Sequence, residues 1–395
     1  DITMAVDGAR STLNITQARR VVDMADKIAL LDPNLAPFLG VLKLLKKDIR
    51  KTYSPKFEWL EDDYLGVRTK VKTAISAAAT TSLEVTDASI FRVNDVVNVP
   101  DVGENMLVTA VPPSSNTLTV VRGFGSQAAA ASIKADSEVI VIGSAMPENS
   151  GDRGAKSTQE APQYNYTQIF RTPVAMSATE EASKLYGGKD KSYQRRKASQ
   201  EHKRDIAHAL YFGQKKEITN TTSNMPQRTT GGLVEFLRNG SNTVAFDSTD
   251  NKLTYTNFDN EVAQRLFAHG SDNKLLIAGP NLASSINSWA AGKLITQVGA
   301  DKTYGIRVSK LTTSYGDLPI IFDPLLSGSY SGYGFALDLD NIRYAYLDGR
   351  DTKLYTDIQN NDVDGVVDEW KTECGLEVKN PDTHVLITGA YVAAE

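Results

Sequence analysis

The chain has 395 residues, a formal net charge of −5 and 41% hydrophobic residues, a composition typical of globular proteins. At about 150 residues per domain, this length predicts two to three domains. The acidic balance argues against a general nucleic-acid-binding protein. The longest apolar runs are far shorter than the roughly 20 residues that span a bilayer. Cys374 is the single cysteine, which excludes an intrachain disulfide, and with four histidines it nearly excludes a Cys/His zinc site.

The N-terminal region predicts an arm followed by short helices. Residues 1–14 are small and polar with no period, which is typical of a segment without a core of its own. Apolar residues from Ile15 to Ala29 follow helical spacing, and residues 36–47 predict a second short helix. Residues 51–64 predict an extended segment.

The composition changes at about Arg68, and residues 68–145 become rich in Ala, Thr, Ser and Val. Short alternating segments separated by Gly, Pro and Asn turns predict six strands: Lys70–Thr73, Ser82–Val85, Asp95–Val99, Met106–Val111, Thr117–Val121 and Glu138–Ile142. Six strands in one stretch predict a small β-barrel or sandwich inserted into a host domain.

The remainder of the chain predicts an α+β host domain. Residues 189–216 form the longest predicted helix, with Gly213 as its end, and the first half of this helix has almost no apolar face. Such a helix usually lies across a neighbouring element. After Gly231-Gly232 the pattern alternates between helices and strands, and it ends in a meander of strands over residues 353–388.

A glycine motif at Gly123-Phe-Gly125-Ser-Gln-Ala128 satisfies the relaxed dinucleotide-binding fingerprint. A βαβ crossover needs a helix of ten or more residues with its turns, whereas residues 128–135 provide roughly two turns before the next predicted strand. The motif therefore favours a glycine turn in the β-module. A nucleotide-binding enzyme is the competing hypothesis.

An acidic segment, Asn360-Asn-Asp362-Val-Asp364-Gly365, resembles the start of a calcium-binding loop. Its twelfth position, which should hold a bidentate Glu, is Lys371. The segment also lies between predicted strands rather than helices. We therefore interpret it as an acidic, solvated hairpin turn.

The histidines do not predict catalysis. His202 and His208 are six residues apart on the long helix, so they do not share one face. We interpret the histidines as surface or interface residues. No HExxH or G-x-S-x-G motif is present, so the sequence does not predict an enzyme.

Opposite charges are concentrated in two regions. Residues 189–216 hold nine Lys/Arg against three acids, and residues 338–382 hold twelve Asp/Glu against five Lys/Arg. This pattern predicts that the basic helix of one copy faces acidic loops of the next; two solvated faces, or phosphate contact by the helix, are the alternatives. The candidate assembly contacts are Phe57, Trp59, Arg195, Arg196, Lys203, Arg204, Asp362, Asp364 and Asp368.

The order of several segments resembles a known family. These segments are Leu35-Ala-Pro37-Phe38-Leu39, Phe57-Glu-Trp59, the long polar helix, Ser314-Tyr-Gly316-Asp-Leu-Pro-Ile320, Ile342-Arg-Tyr-Ala-Tyr-Leu347 and Cys374-Gly-Leu-Glu-Val-Lys-Asn-Pro381 with His384. The chain resembles the major head (capsid) proteins of tailed bacteriophages, which have the Hong Kong 97-type capsid fold.

The resemblance implies a division of the chain into the domains of that fold. Residues 1–50 would be the N-terminal arm and first helices, residues 51–67 and 146–178 the strands of the extended E-loop, and residues 68–145 the inserted β-domain. Residues 179–253 and 340–395 would form the peripheral domain with the long helix as its spine, and residues 254–339 the axial domain.

The same resemblance implies the function. The protein would assemble in the host cytoplasm into hexamers and pentamers that form an icosahedral or prolate shell around the double-stranded DNA genome. It would need no cofactor, metal or membrane. Its partners would be the portal, a decoration protein and, through non-specific contact only, the packaged DNA. Another phage structural protein, such as a tail-tube, decoration or adaptor component, is the alternative. Because the sequence starts at Asp1, removal of an N-terminal piece by a maturation protease and a numbering that omits upstream residues both stay open.

Overall fold

The computed structural model describes residues 38–40, 49–183, 190–240, 242–247, 252–289, 294–297 and 308–390. The predicted N-terminal arm, the helix over residues 15–29 and most of the helix over residues 36–47 lie outside these ranges. The chain forms two compact units. The first contains Asp1–Trp59 and Gln163–Glu395, and the second contains Leu60–Pro162.

The second unit is built on one antiparallel six-stranded sheet in the order β3-β8-β5-β6-β7-β4. Its strands are β3 (Arg68–Lys70), β4 (Ser82–Glu84), β5 (Asp95–Val99), β6 (Glu104–Ala110), β7 (Thr117–Val121) and β8 (Glu138–Ser144). Val71 and Val85, which directly follow the two edge strands, pair with each other. The sheet therefore closes into a small barrel.

The alternation of side chains fills the interior of this barrel. In β5 the burial alternates, with Val97 and Val99 inside and Val96 and Asn98 towards the surface. The other strands contribute to the same apolar cluster, and Phe91 is fully buried in it. Five of the six predicted strands are confirmed, because a closed sheet with one apolar face imposes a period of two. The first strand is Arg68–Lys70 instead of the predicted Lys70–Thr73.

The first unit contains a five-stranded sheet in the order β1-β19-β21-β10, with β20 also paired to β21. These strands are β1 (Ile49–Thr52), β10 (Gln168–Ser177), β19 (Ile342–Leu347), β20 (Lys353–Tyr355) and β21 (Gly365–Val378). β1 runs parallel to β19, and the other pairs are antiparallel. Two strands at the base of the predicted E-loop, β2 (Lys56–Glu61) and β9 (Ala161–Tyr166), form a separate two-stranded sheet.

One long helix packs on the five-stranded sheet. A short helix, α1 (Ala178–Ala182), precedes this long helix, α2 (Asp190–Phe212). Gly213 follows α2 as predicted, but its φ is not in the left-handed region. A Cβ at Gly213 would instead collide with the carbonyl oxygens of Ala209 and Thr230. Glycine is required there because the chain approaches itself closely.

A seven-stranded mixed sheet forms the other half of this unit, in the order β13-β22-β18-β14-β17-β16-β15. Its strands are β13 (Thr243–Ala245), β14 (Lys274–Ala278), β15 (Leu294–Gln297), β16 (Val308–Thr312), β17 (Asp317–Phe322), β18 (Gly334–Asp338) and β22 (Val385–Thr388). Its helices are α3 (Leu233–Asn239), α4 (Tyr255–Phe258), α5 (Gln264–Ala268) after the π-helix Asp259–Ala263, and α6 (Pro280–Trp289). Short 3₁₀ turns lie at Gly328–Tyr330, Leu339–Asn341 and Pro381–Thr383. The predicted α+β class is confirmed.

A buried ion pair fixes one end of this seven-stranded sheet. Lys274 Nζ donates to Asp338 Oδ2 at 3.0 Å and to the carbonyl oxygens of His269 and Thr383 at 2.8 and 3.2 Å. The three donor hydrogens of the ammonium are thereby satisfied. Asp338 also accepts from the amide and hydroxyl of Ser271, so the buried charges are paired as burial demands.

A hairpin that the sequence analysis did not predict follows α2. Its strands are β11 (Lys216–Thr219) and β12 (Pro226–Thr229), which form a two-stranded sheet of their own among the described residues. The alternation of apolar and polar residues that marks the other strands is weak here, because neither strand of this hairpin has a buried residue in the part of the chain that the structure describes.

Candidate functional site

Strand β21 places three acidic residues on one face of the five-stranded sheet. Glu369, Glu373 and Glu377 are spaced four residues apart, so in a strand all three side chains point to the same side. Each is at most 5% exposed. The periodic spacing is a signal that the sequence analysis missed.

Each of these glutamates pairs with an arginine from a different segment. Arg171 of β10 binds Glu369 through two nitrogens at 2.5 and 2.9 Å. Arg350, which follows β19, binds Glu373 at 2.5 Å, and Arg50 of β1 binds Glu377 at 2.5 Å. The hydrogen bonds from Arg171 hold the pKa of Glu369 below its usual value. The ladder of pairs therefore fixes three distant segments to one strand.

The opposite face of β21 holds helix α2 through Arg195 and Trp370. Arg195 Nε donates to Asp368 Oδ2 at 2.6 Å, and the indole nitrogen of Trp370 donates to the carbonyl oxygen of Arg195 at 3.0 Å. Asp368 is 2% exposed. Burial alone would raise the pKa of Asp368, but hydrogen bonds from Arg195 and from the amide of Asp357 outweigh it and lower this pKa.

His202 lies between the same helix and sheet. Its Nδ1 is 2.9 Å from Thr172 Oγ1 and its Nε2 is 2.7 Å from Thr372 Oγ1. His202 is 1% exposed and His384 is fully buried. The prediction of surface or interface positions is therefore wrong for these two histidines, because each forms buried hydrogen bonds inside the subunit.

The predicted aromatic contacts lie inside the subunit. β2 alternates exposed and buried residues, which turns Phe57 and Trp59 inward at 4% and 6% exposure. The ring centroid of Trp59 lies 6.1 Å from that of Phe57 and 5.9 Å from that of Phe236. The two residues join the core cluster that also holds Leu210 and Tyr344. In this arrangement they anchor strand β2 to the core of this unit.

The predicted charged contacts separate into two groups. Arg195 and Asp368 are paired within one subunit. Arg196 lies over the ring of Tyr193, and Arg204 contacts the exposed neighbour Asp205 at 3.5 Å. Within the described part of the chain, Arg196, Lys203, Asp362 and Asp364 form no ion pair with another residue. Of these four residues, Arg196, Asp362 and Asp364 are exposed and Lys203 is half-buried.

The glycine motif in the barrel is occupied by a carboxylate of the same chain. Glu104 accepts hydrogen bonds from the amides of Gly123 and Ala130, both at 2.9 Å, and from Arg122 through two nitrogens at 2.7 Å. Residues 128–135 are not helical. Gly123 has φ +64°. The motif is a glycine turn folded over Glu104, so the dinucleotide interpretation has no structural support.

The acidic segment 360–365 is the turn between β20 and β21, as predicted. The amide of Val363 donates to the carbonyl oxygen of Asn360 at 3.1 Å, and Val363 is 50% exposed. Among the described residues, no three His, Cys, Asp or Glu side chains cluster as a metal site would require. None of the helices in the described ranges is long and apolar enough to cross a membrane.

Comparison with known proteins identifies the family of this chain. The model of the SU10 major capsid protein family matches residues 6–391. The major capsid protein of Pseudomonas phage PaMx41 is 28% identical over 350 residues, which is 82% of each chain. The protein is therefore a phage major capsid protein: a structural component of the virion that forms the head shell and not an enzyme. More specifically, the chain belongs to the SU10 major capsid protein family.

Several solved structures are similar to this chain at low identity. A structure of Microbacterium phage Oxtober96 is 12% identical with a TM-score of 0.47, covering 94% of this chain and 96% of that one. The capsid of a native GTA particle is 10% identical with a TM-score of 0.47, covering 98% and 100%. An encapsulin from Synechococcus elongatus PCC 7942 is 12% identical with a TM-score of 0.42, covering 60% and 81%.

Proposed function

We propose that this capsid protein has the Hong Kong 97-type fold and builds an icosahedral or prolate shell from hexamers and pentamers around double-stranded DNA. Residues 1–50 are the arm, residues 51–67 and 146–178 the E-loop, and residues 254–339 the axial domain. Residues 179–253 and 340–395 are the peripheral domain. The helix α2 is the spine of the peripheral domain in this proposal.

The observation that carries the proposal is the set of charges left after the internal pairs are formed. Arg196 and Lys203 lie on α2, and Asp362 and Asp364 lie in the turn between β20 and β21. Because Arg195 and Asp368 fix α2 to β21, both surfaces belong to one rigid framework. Among the described residues, the basic residues on α2 form no ion pair with the acidic turn. We therefore infer that the basic surface of one copy pairs with the acidic turn of another copy.

Contacts of this kind control how copies meet more than how tightly they bind. Complementary charges steer the encounter and fix its register, while an exposed ion pair contributes only about 0–1 kcal/mol. In a shell the same contact is repeated in every subunit, so a small gain is multiplied by symmetry. We therefore expect shell assembly to depend on ionic strength.

We also propose that residues 68–145 are a β-domain inserted near the tip of the E-loop. The compact unit Leu60–Pro162 includes this range, and it has an apolar core of its own. The amide of Val141 donates to the carbonyl oxygen of Val67 at 2.8 Å, so the chain enters and leaves the barrel on neighbouring strands. Such a module suits contacts with a decoration protein. Contacts with the portal and non-specific contacts with DNA complete the proposed partners.

A charge-exchange experiment tests the proposed contact. One variant reverses the basic surface (Arg196→Glu with Lys203→Glu), a second reverses the acidic turn (Asp362→Lys with Asp364→Lys), and a third combines all four changes. We expect each double variant to form about tenfold fewer shells, measured by sedimentation and electron microscopy, because like charges now face each other. The combined variant should recover assembly because the complementarity is restored.

The matched control reverses two lysines elsewhere, Lys134 and Lys252, both of which are exposed. This Lys134→Glu, Lys252→Glu variant has the same net charge as the first variant and should assemble as the wild type does. Wild-type yields from both double variants would contradict the charge contact. Absence of any shell or capsomer from the wild-type chain would contradict the proposed function itself.

A further inference from the structure

The segment that follows the last strand of the barrel has the sequence of a loose linker. Residues 146–160 contain no helix or strand, and every one of them except Arg153 is exposed. A polar segment without a backbone ladder is usually among the most mobile parts of a protein. The side chains of this segment nevertheless bind the barrel at several points.

Two cations of the segment end on one stretch of the barrel. Arg153 donates to the carboxylate of Asp95, the first residue of β5, which is 1% exposed. Lys156 Nζ donates to the carbonyl oxygens of Ser89 at 2.7 Å and of Phe91 at 2.5 Å. A buried carboxylate and two backbone carbonyl groups therefore obtain hydrogen-bond partners from a segment that is remote from them in the sequence.

The barrel also donates hydrogen bonds back to the segment. Arg92 Nη2 donates to the carbonyl oxygen of Lys156 at 3.3 Å. Thr158 Oγ1 donates to Asp62 Oδ1 at 2.9 Å, and two residues separate Thr158 from the start of β9. The segment is therefore fixed both where it crosses residues 87–94 and where it leaves the barrel.

The stretch under the segment, residues 87–94, is a loop that supplies apolar side chains to the interior. Phe91 is fully buried and Ile90 is 8% exposed, and both belong to the apolar cluster of the barrel. The loop contains no strand, and the amide of Phe91 makes a turn-like hydrogen bond to the carbonyl oxygen of Ala88 at 3.2 Å. Phe91 is thus a core residue on a loop without a ladder of its own.

We propose that residues 146–158 are a strap that holds loop 87–94 against the barrel and keeps Phe91 inside, and that release of the strap opens this loop while the sheet stays folded. Partly exposed polar contacts of this kind are individually weak, so the strap can be released locally. The sheet has its own backbone ladder, which the pairing of Val71 with Val85 closes. The inference concerns a single subunit and does not rest on the proposed shell.

Trypsin cleavage of the full chain at low concentration tests whether the strap is docked, because trypsin cuts after Arg and Lys in segments that are free to enter its cleft. Lys156→Met removes one contact and keeps Arg153 as a cleavage site, and Arg153→Met does the reverse. We expect the remaining site in each variant to be cut at least about tenfold faster than in the wild type, because cleavage follows the population of the open form.

The control variant is Arg68→Met, which removes an exposed cation of the same barrel that pairs with Glu138 at 3.3 Å. It should leave cleavage at Arg153 and Lys156 within about twofold of the wild type, because this surface pair does not hold the strap. Rapid cleavage of the wild type at both sites, at rates that the strap variants do not change, would show a loose linker and overturn the proposal.

Hydrogen exchange tests whether release of the strap opens the loop. In Lys156→Met we expect the amides of residues 89–94 to exchange at least about tenfold faster than in the wild type, with the amides of β6 and β7 unchanged. Unchanged exchange in the loop would overturn the proposal. Equal acceleration in loop and sheet would also overturn it, because the segment would then be part of the folding core of the barrel. A wild-type chain that forms no shells would contradict the proposed function and leave the strap intact.

Discussion

Arg195 Nε lies 2.6 Å from Asp368 Oδ2 and joins the long helix α2 to the central strand β21. The aspartate is buried and the arginine side chain is 28% exposed. The basic region (residues 189–216) and the acidic region (residues 338–382) are therefore in contact within one subunit. Only the charges beyond this pair are available for contacts between copies.

Removing Arg195 should destabilise the subunit more than removing both partners. In Arg195→Met, Asp368 keeps its buried position without its cation. Loss of one partner of a fully buried pair costs about 3–5 kcal/mol, and the partial exposure of Arg195 lowers our expectation to about 2 kcal/mol. Urea unfolding of unassembled subunits measures this loss. The double variant Arg195→Met, Asp368→Leu should recover at least half of it, and equal losses in both variants would contradict this account of the pair.

The buried His384 should make the subunit less stable as the pH falls from about 6.5 to 4. Burial lowers its pKa from 6.5 to about 4, despite the opposing charge of Asp338. Its Nδ1 accepts from the amide of Asp338 at 2.9 Å, and its Nε2 faces the carbonyl oxygen of Lys379 at 3.2 Å. Lys274 adds a positive charge nearby. The folded protein therefore holds this imidazole neutral.

Between these two pH values the unfolded chain binds a proton that the folded chain does not. The free energy of unfolding consequently rises with pH across this window, by about 3 kcal/mol for this group in total. The wild type and His384→Gln are compared by chemical denaturation at pH 7, 6 and 5. The difference between the two proteins isolates the contribution of His384 to the pH dependence of stability, because the carboxylates contribute equally to both. The destabilisation caused by the substitution should shrink as the pH falls. A difference independent of pH would contradict a depressed pKa.

Two glycines with positive φ should respond differently to alanine. Gly270 has φ +83°, and a Cβ there would collide with the carboxylate of Asp338 and approach Lys274 Nζ at 2.9 Å. Gly328 has φ +65° but no atom within 4 Å of such a Cβ. Gly328→Ala should cost the left-handed conformation alone, about 1–2 kcal/mol. Gly270→Ala should lower the free energy of unfolding, measured by thermal unfolding, by at least about 1 kcal/mol more than Gly328→Ala does. Equal losses in the two variants would contradict a steric clash with the ion pair of Lys274 and Asp338.

Glu104 should control the glycine turn of the barrel. In Glu104→Gln the bidentate charge pair with Arg122 is lost, and the amides of Gly123 and Ala130 lose a charged acceptor. Because both side chains are at most 4% exposed, we expect a loss of about 3 kcal/mol. Hydrogen exchange of residues 123–130 should accelerate in the variant.

The control for this prediction is the exposed pair of Arg68 and Glu138, at 3.3 Å. Glu138→Gln should change the stability by less than about 0.5 kcal/mol, because surface ion pairs contribute little. If Glu104→Gln were as mild as Glu138→Gln, the turn would be held by its glycines rather than by the carboxylate.

The sequence predicts much of the fold where one face of an element is buried. The bounds of β5 and β7 match the predicted strands, because a buried face imposes a strict period on apolar residues. The helix α2 is predicted within a few residues of its ends. The exposed hairpin β11–β12 was missed, since without a buried face the pattern carries no period.

Side-chain partners were harder to predict than elements. The excess of Lys/Arg in α2 and of Asp/Glu in β21 is visible in the sequence, but the register that pairs Arg195 with Asp368 depends on how helix and sheet pack. His202 has the sequence context of a surface residue, and its burial follows from Thr172 and Thr372 on two strands far apart in the chain. Long-range pairing of this kind leaves no local signal.

The most direct test is sedimentation velocity of the purified full chain over a range of concentrations, with electron micrographs of the fastest fraction. We expect closed shells, with hexameric or pentameric capsomers as the slower species, and a shift towards capsomers at high salt. A chain that sediments as a 43.0 kDa monomer at every concentration would contradict assembly through its own surfaces.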